Sequence, residues 1–264
     1  MSDITLYTYA VSQSSEKVRW ALDSVGVSYR EQRLTPFMHT SLTGDALLSG
    51  VPVLVADGQT IGDSTRILEW LETYRKPFSL IPSDPALRAQ VMAAESRFDM
   101  TAMHLLRVVY RELLVRKDLA LRLWSVDANP LQRFALRAGY PLIRKLMESG
   151  LDRSPMPYAR SLRIVDRAIG ELDRVAQSGQ RFLVGGRFSV ADITAAAMLS
   201  PLACPEEHPV YSRADYRREM APVLAQWRDR PGLEWVRQMY RHRGLAAEMS
   251  ADSKIVADEL VAAA

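Results

Sequence analysis

Hydrophobic side chains change their period once along this chain. Up to about residue 76 they alternate or come in short blocks, and beyond residue 85 they recur every three or four positions. Ile4 to Tyr9 alternates, with Ile4 and Leu6 on one face and Tyr7 and Tyr9 on the other, which predicts a strand. A polar loop follows, Ser12-Gln13-Ser14-Ser15. Val18, Ala21, Leu22 and Val25 then mark one face of a helix, and Gly26 stands where a helix stops. Val27 to Leu34 reads as a second strand, which a helical crossover forces to pair in parallel with the first. Thr35 to Gly50 is weakly patterned and holds at most a short helix.

The stretch Val51 to Trp70 carries four signals together. Val51, Val53, Leu54 and Val55 suit a strand buried on both faces, and Asp57-Gly58 suits a two-residue hairpin turn. Gln59 to Ile61 returns antiparallel. Asp63 or Ser64 then caps a helix carrying Ile67, Leu71 and Tyr74 at helical spacing. The amides of that first turn point back to Val51-Pro52 and make a seat for a carboxylate.

Pro77 to Pro85, with three prolines, reads as a linker. After it come helical patterns at Ala86–Lys117, Leu131–Met147, Tyr158–Ala176, Val190–Leu199, Asp215–Asp229 and Leu233–His242. Ile164, Val165, Ala168, Ile169, Leu172, Val175 and Ala176 cover so wide an arc that their helix is expected in the middle of a bundle. Phe188 to Ile193 has the makings of a capping box, with Ser189 and Asp192 exchanging hydrogen bonds. The organisation is therefore 1–76, linker 77–85, an all-helical domain 86–244, and a tail 245–264 to which no function is assigned.

Composition narrows the function classes. A formal charge of +3, with arginines spread over polar helical faces, argues against nucleic acid as a partner. Cys204 is the only cysteine, so an internal disulfide and thiolate zinc sites are excluded, and an inert buried thiol is expected. His39, His104, His208 and His242 show no pairing at metal-ligand spacing, so no metal is expected. The start of the chain lacks a basic region before an apolar core, and no window nears ~18 uninterrupted apolar residues. A soluble, cytoplasmic protein is the expectation. Arg133, Arg137, Arg144 and Lys145 alternate with apolar residues and are read as a solvated helix face, not a membrane contact.

Three motifs resemble those of the cytosolic glutathione transferase superfamily. They are Ser12-Gln13-Ser14-Ser15-Glu16-Lys17-Val18-Arg19-Trp20-Ala21-Leu22, Val51-Pro52 with Asp63-Ser64, and the Phe188 to Asp192 box; Arg230-Pro231 before the last helix also fits. The resemblance covers nearly all the chain to about Gly244. It implies an α/β thioredoxin-like N-terminal domain plus an all-α helical-bundle C-terminal domain, with glutathione as co-substrate and a small hydrophobic electrophile as second partner. It implies that Pro52 is a cis-proline, that the Val51 backbone pairs with the cysteinyl part of glutathione, and that Asp63 and Ser64 hold the γ-glutamyl end. Ser12 lies at the thiol-activating position. Homodimers through first-domain to second-domain contacts are also implied, as is a detoxifying role.

Physical chemistry agrees with the place given to Ser12. A thiol attacks as thiolate, and hydrogen-bond donors at a helix N-terminus lower its pKa. Ser14, Ser15 and Tyr9 stand as alternatives for the thiol's donor, with Ser12 then merely an N-terminal cap; Ser12 is favoured as donor because Ser15 suits capping better. With serine where redox relatives carry cysteine, no protein thiol is present for a mixed disulfide. Two departures matter. Gly50 stands where many members have a contact to the glycine end of glutathione, leaving His39 as the nearest candidate, and the segment 108–151 is longer than in compact members. Met100, Met103, Arg107 and Tyr110 share the side of their helix that faces the cleft in this family; core packing is favoured for them, with electrophile-pocket lining (Tyr9, Met103, Arg107, Tyr110) as the alternative. Other functions left open are a non-catalytic glutathione-binding or assembly module and a glutathione-dependent isomerase.

Overall fold

The structure, a computed structural model, describes residues 4–37, 50–76, 80–151 and 155–243. His39, the start of the linker and the tail lie outside the described residues.

Four short strands and three of the loops between them set the geometry of the first domain. β1 (Thr5–Thr8) leads through α1 (Gln13–Ser24) to β2 (Arg30–Arg33), and β3 (Val53–Ala56) turns into β4 (Gln59–Gly62) before α2 (Ser64–Tyr74). The sheet order is β2-β1-β3-β4, with β1 parallel to β2 and the other pairs antiparallel. Asp57 and Gly58 both hold positive φ, 49° and 76°, as the tight hairpin turn requires. Because Tyr7 pairs with Val53 and Val53 with Gly62, the end of β1, the start of β3 and the end of β4 share one edge of the sheet. The loops carrying Ser12, Val51 and Asp63 therefore leave from the same edge.

The second domain comprises α3 (Pro85–Leu113), α4 (Lys117–Trp124), α5 (Pro130–Gly150), α6 (Pro155–Gln177), α7 (Val190–Ala203), the short α8 (Ala214–Glu219) and α9 (Ala221–Leu224), and α10 (231–243). Its centre is α7, buried along its whole length and packed on both α1 and α3. That corrects the expectation that the helix around Ile164 to Ala176 lies in the middle. α6 buries Val165, Ile169, Leu172 and Val175 but turns Arg163, Asp166, Arg167 and Arg174 outward. The single helix expected over Asp215–Asp229 is also broken, by a turn at Met220 between α8 and α9. α4 continues the α3 pattern only after a break at residues 114–116.

Several contacts seat the domains on each other. Val190 N–H donates to the Leu80 carbonyl at 3.0 Å, holding the linker's end on the start of α7. Trp20 of α1 packs on Tyr240 of α10 at 4.8 Å and on Phe188 at 6.2 Å. Glu16, buried in α1, accepts from Arg19 at 2.7 Å and from Arg243 at the far end of the chain. Burial would raise the Glu16 pKa, but Arg243 and Arg19 hold it at about 2.

Candidate active site

Ser12 is the N-cap of α1. Its backbone is extended, φ −88° and ψ 117°, and its hydroxyl oxygen accepts from Ser15 N–H at 3.1 Å. The expectation that Ser15 does the capping is thereby corrected: Ser15 sits inside the first turn, its Oγ buried without a hydrogen-bond partner among the described residues. The proton of Ser12 is claimed by no described residue. A half-buried hydroxyl at a helix N-terminus, accepting on one side, is left to donate on the other. The loop is fixed from behind, since the buried Tyr211 hydroxyl donates to the Val11 carbonyl at 2.8 Å. Burial pushes the Tyr211 pKa far up, and nearby Tyr110 adds to it, so the phenol stays a donor.

Val51-Pro52 is a cis peptide bond, as expected. Val51 and Tyr9 pack together against Leu34 and Val53, which places the start of β3 beside the end of β1. Tyr9 lends its carbonyl to Ser12 N–H at 3.2 Å, and burial pushes its own hydroxyl up to about 12. It therefore remains a neutral phenol at any ordinary pH.

Asp63 adopts φ 72°, an unusual value for a non-glycine residue and one that strain alone disfavours. One of its carboxylate oxygens, Oδ1, accepts from Thr65 N–H at 2.9 Å and Arg66 N–H at 3.1 Å, capping α2. Its other oxygen has no partner among the described residues. Ser64 is buried and accepts from Lys17 Nζ at 3.1 Å. Lys17, wholly buried, also reaches Thr65 Oγ1 at 3.3 Å, Glu95 at 2.5 Å and Asp99 at 2.8 Å. No functional role for Lys17 was drawn from the sequence, because its partners on α3 lie 78 and 82 residues away.

The residues considered for a second pocket diverge. Met100 and Met103 are 65% and 52% exposed, so the core-packing role does not hold for them. Tyr110 is buried, stacked on Trp124 at 6.3 Å and accepting from its indole at 3.4 Å. Arg107 donates to Ser161 Oγ at 2.8 Å and to the Leu151 carbonyl, joining α3 to α6 and to the end of α5. The aromatic group around Trp124 continues to Tyr140 and, across the domain boundary, to Phe37 at 5.3 Å.

Histidines and cysteine are spent structurally. His208 is buried and accepts at Nδ1 from Val210 and Tyr211 N–H, and burial pulls its pKa down to about 4. His104 pairs with Ser161 and His242 with Arg181. Cys204 caps α7 in a left-handed conformation, its thiol pushed up to about 12 by burial. No group of three or more metal-ligating side chains occurs among the described residues. No described helix is long and apolar enough to cross a membrane.

Comparison with known proteins adds the family. The sequence model of the glutathione S-transferase N-terminal domain matches residues 6–77, and that of the C-terminal domain matches residues 155–230. A probable glutathione S-transferase of Nicotiana tabacum is 35% identical over 92 residues, 34% of this chain and 41% of the relative. Maleylacetoacetate isomerase of Rattus norvegicus is 37% identical over 95 residues, 33% of this chain and 43% of the relative. The chain thus spans about two-fifths of the length of the curated relatives it matches. Among solved structures, a glutathione S-transferase of Methylobacterium radiotolerans in complex with glutathione sulfonate superposes with a TM-score of 0.55 at 20% identity, covering 88% of this chain and 93% of that one. Two family domains in their expected order, on a sheet and helical bundle of the matching fold, place this chain in the glutathione S-transferase superfamily.

Proposed function

We propose that the protein activates the thiol of glutathione for attack on a small hydrophobic electrophile, with Ser12 as the thiol's hydrogen-bond donor. The observation that carries this reading is the unclaimed Ser12 proton at the N-terminus of α1, on the sheet edge that also presents Val51-Pro52 and Asp63-Ser64. In this reading the Val51 backbone pairs with the cysteinyl unit. Ser64 receives the γ-glutamyl carboxylate on its N–H and hydroxyl, and the open oxygen of Asp63 receives the γ-glutamyl ammonium. The sulfur then sits at the start of α1, where a donated proton and the amide dipoles favour thiolate. Holding that thiolate beside an electrophile supplies the rest of the catalysis. Ser12 stays neutral throughout and forms no covalent bond. His39 is retained as the candidate partner for the glycine end, and the working unit is a cytoplasmic homodimer.

Retention on immobilised glutathione, followed by conjugation assays on a panel of electrophiles, tests the reading. Retention with turnover supports it; neither one ends it. Retention without turnover favours a binding or assembly module. The similarity to the rat isomerase, and to a probable maleylacetoacetate isomerase of Caenorhabditis elegans at 35% identity over 91 residues, favours one further reading. There the same thiolate adds to a cis double bond, the single bond so formed rotates, and elimination releases glutathione unchanged. Isomerisation of a cis-enoic acid whose double bond is conjugated to a carbonyl, without net consumption of glutathione, identifies that case.

A further inference from the structure

The candidate site contains a buried cation with no part in thiol activation. Lys17 has no exposed surface, and its ammonium meets four oxygens from two other helices: Ser64 Oγ and Thr65 Oγ1 on α2, Glu95 Oε1 and Asp99 Oδ1 on α3. Thr65 Oγ1 closes the set by donating to Glu95 at 3.3 Å. An ammonium has three protons and no lone pair, so toward Lys17 the Ser64 oxygen acts only as acceptor. The Ser64 proton must then point elsewhere, and no described residue accepts it. Ser64 is the first residue of α2, so its own N–H has no partner within the helix and opens in front of it, where an anion would be received.

We propose that Lys17 is a positioning residue for the γ-glutamyl carboxylate. It locks the Ser64 hydroxyl as a donor toward the incoming anion, and Glu95 and Asp99 of the second domain hold Lys17 in place. The proposal rests on the glutathione reading above. It explains why a lysine occupies a sealed position: a buried charge is costly unless paired, and here the pairing also fixes the polarity of a ligand-facing hydroxyl.

A double-mutant cycle on the full chain tests it, with affinities measured calorimetrically for glutathione and for cysteinylglycine, which lacks the γ-glutamyl unit. Lys17→Met and Ser64→Ala are each expected to weaken glutathione binding about 10-fold, the loss expected for one charge-assisted hydrogen bond. The double variant is expected to be no weaker than the poorer single, and affinity for cysteinylglycine is expected to stay constant throughout. Multiplying losses, or equal losses for both ligands, overturn the proposal. Should Lys17→Met not fold, Lys17→Arg keeps the charge but moves the donor. Its loss in glutathione affinity is expected to vanish in the Ser64→Ala background, and a loss independent of Ser64 overturns the proposal. Wild-type protein that binds no glutathione defeats the underlying reading before any variant is made, and the proposal falls with it.

Discussion

The helices α1 and α7 both start at a serine, and they differ in where the serine proton goes. At α7 the third residue is Asp192, whose carboxylate accepts from Ser189 N–H at 2.8 Å, Ser189 O–H at 2.9 Å and Leu183 N–H at 2.8 Å. Both donors of Ser189 are satisfied by Asp192. At α1 the third residue is Ser15, which gives its N–H to Ser12 and offers no carboxylate in return. The α7 start is closed; the α1 start is left with a serine proton that no described residue accepts. α2 belongs with α1, because Lys17 claims the Ser64 oxygen and leaves the proton.

If that contrast is right, breaking the closed start damages the fold and spares the ligand. Asp192→Ala strands two buried donors of Ser189 and the half-buried Leu183 N–H, and is expected to cost about 3–5 kcal/mol in urea unfolding, with glutathione affinity of the folded fraction unchanged. A loss under 1 kcal/mol would show that the box is dispensable.

The next largest effect concerns another closed group, His208. Its folded pKa lies at about 4 against an unfolded value near 6.5, so between these limits the unfolded chain binds the extra proton. Stability from this group is complete above about pH 6.5 and lost as pH falls through about 4, amounting to about 3 kcal/mol. Unfolding free energies for wild type and His208→Asn across pH 4–7 check it; equal slopes would refute it.

The open start makes the opposite expectation. Ser12→Ala is expected to lower turnover about 100-fold, the scale of one anion-stabilising donor, while costing only ~1 kcal/mol of stability and leaving glutathione affinity in place. Unchanged turnover would move the role to another hydroxyl. The smallest effect is Tyr211→Phe, which deletes only the hydroxyl on Val11 C=O. It is expected to cost ~1 kcal/mol and a few-fold in turnover, and it would sharpen the comparison by showing that the open start is held from the second domain.

Much of this was legible locally. Asp57-Gly58 announced its hairpin, and Ser189 with Asp192 announced the α7 start, because each is written within four residues. Identity of the α1 cap was not, since three serines within four residues leave open which one turns extended, and only φ and ψ decide. The apolar arc of α6 misleads for a related reason. α6 carries a wide apolar arc, but α7, rich in alanine, is narrow enough to fit between α1 and α3. Lys17 stayed hidden because its meaning lies in Glu95 and Asp99, and Met103, Arg107 and Tyr110 share a helical side yet meet different neighbours.

The first helix of the chain also has an order of events written into it. Val11 waits for Tyr211, Lys17 for Glu95 and Asp99, and Glu16 for Arg243, separations of 200, 78, 82 and 227 residues. During synthesis, when N-terminal segments leave the ribosome first, α1 emerges with Lys17 lacking both of its carboxylates and with Glu16 held by Arg19 alone. The segment made first is thus among the last to be finished, and a nascent chain halted after α2 would carry Lys17 and Ser64 without the carboxylates of Glu95 and Asp99.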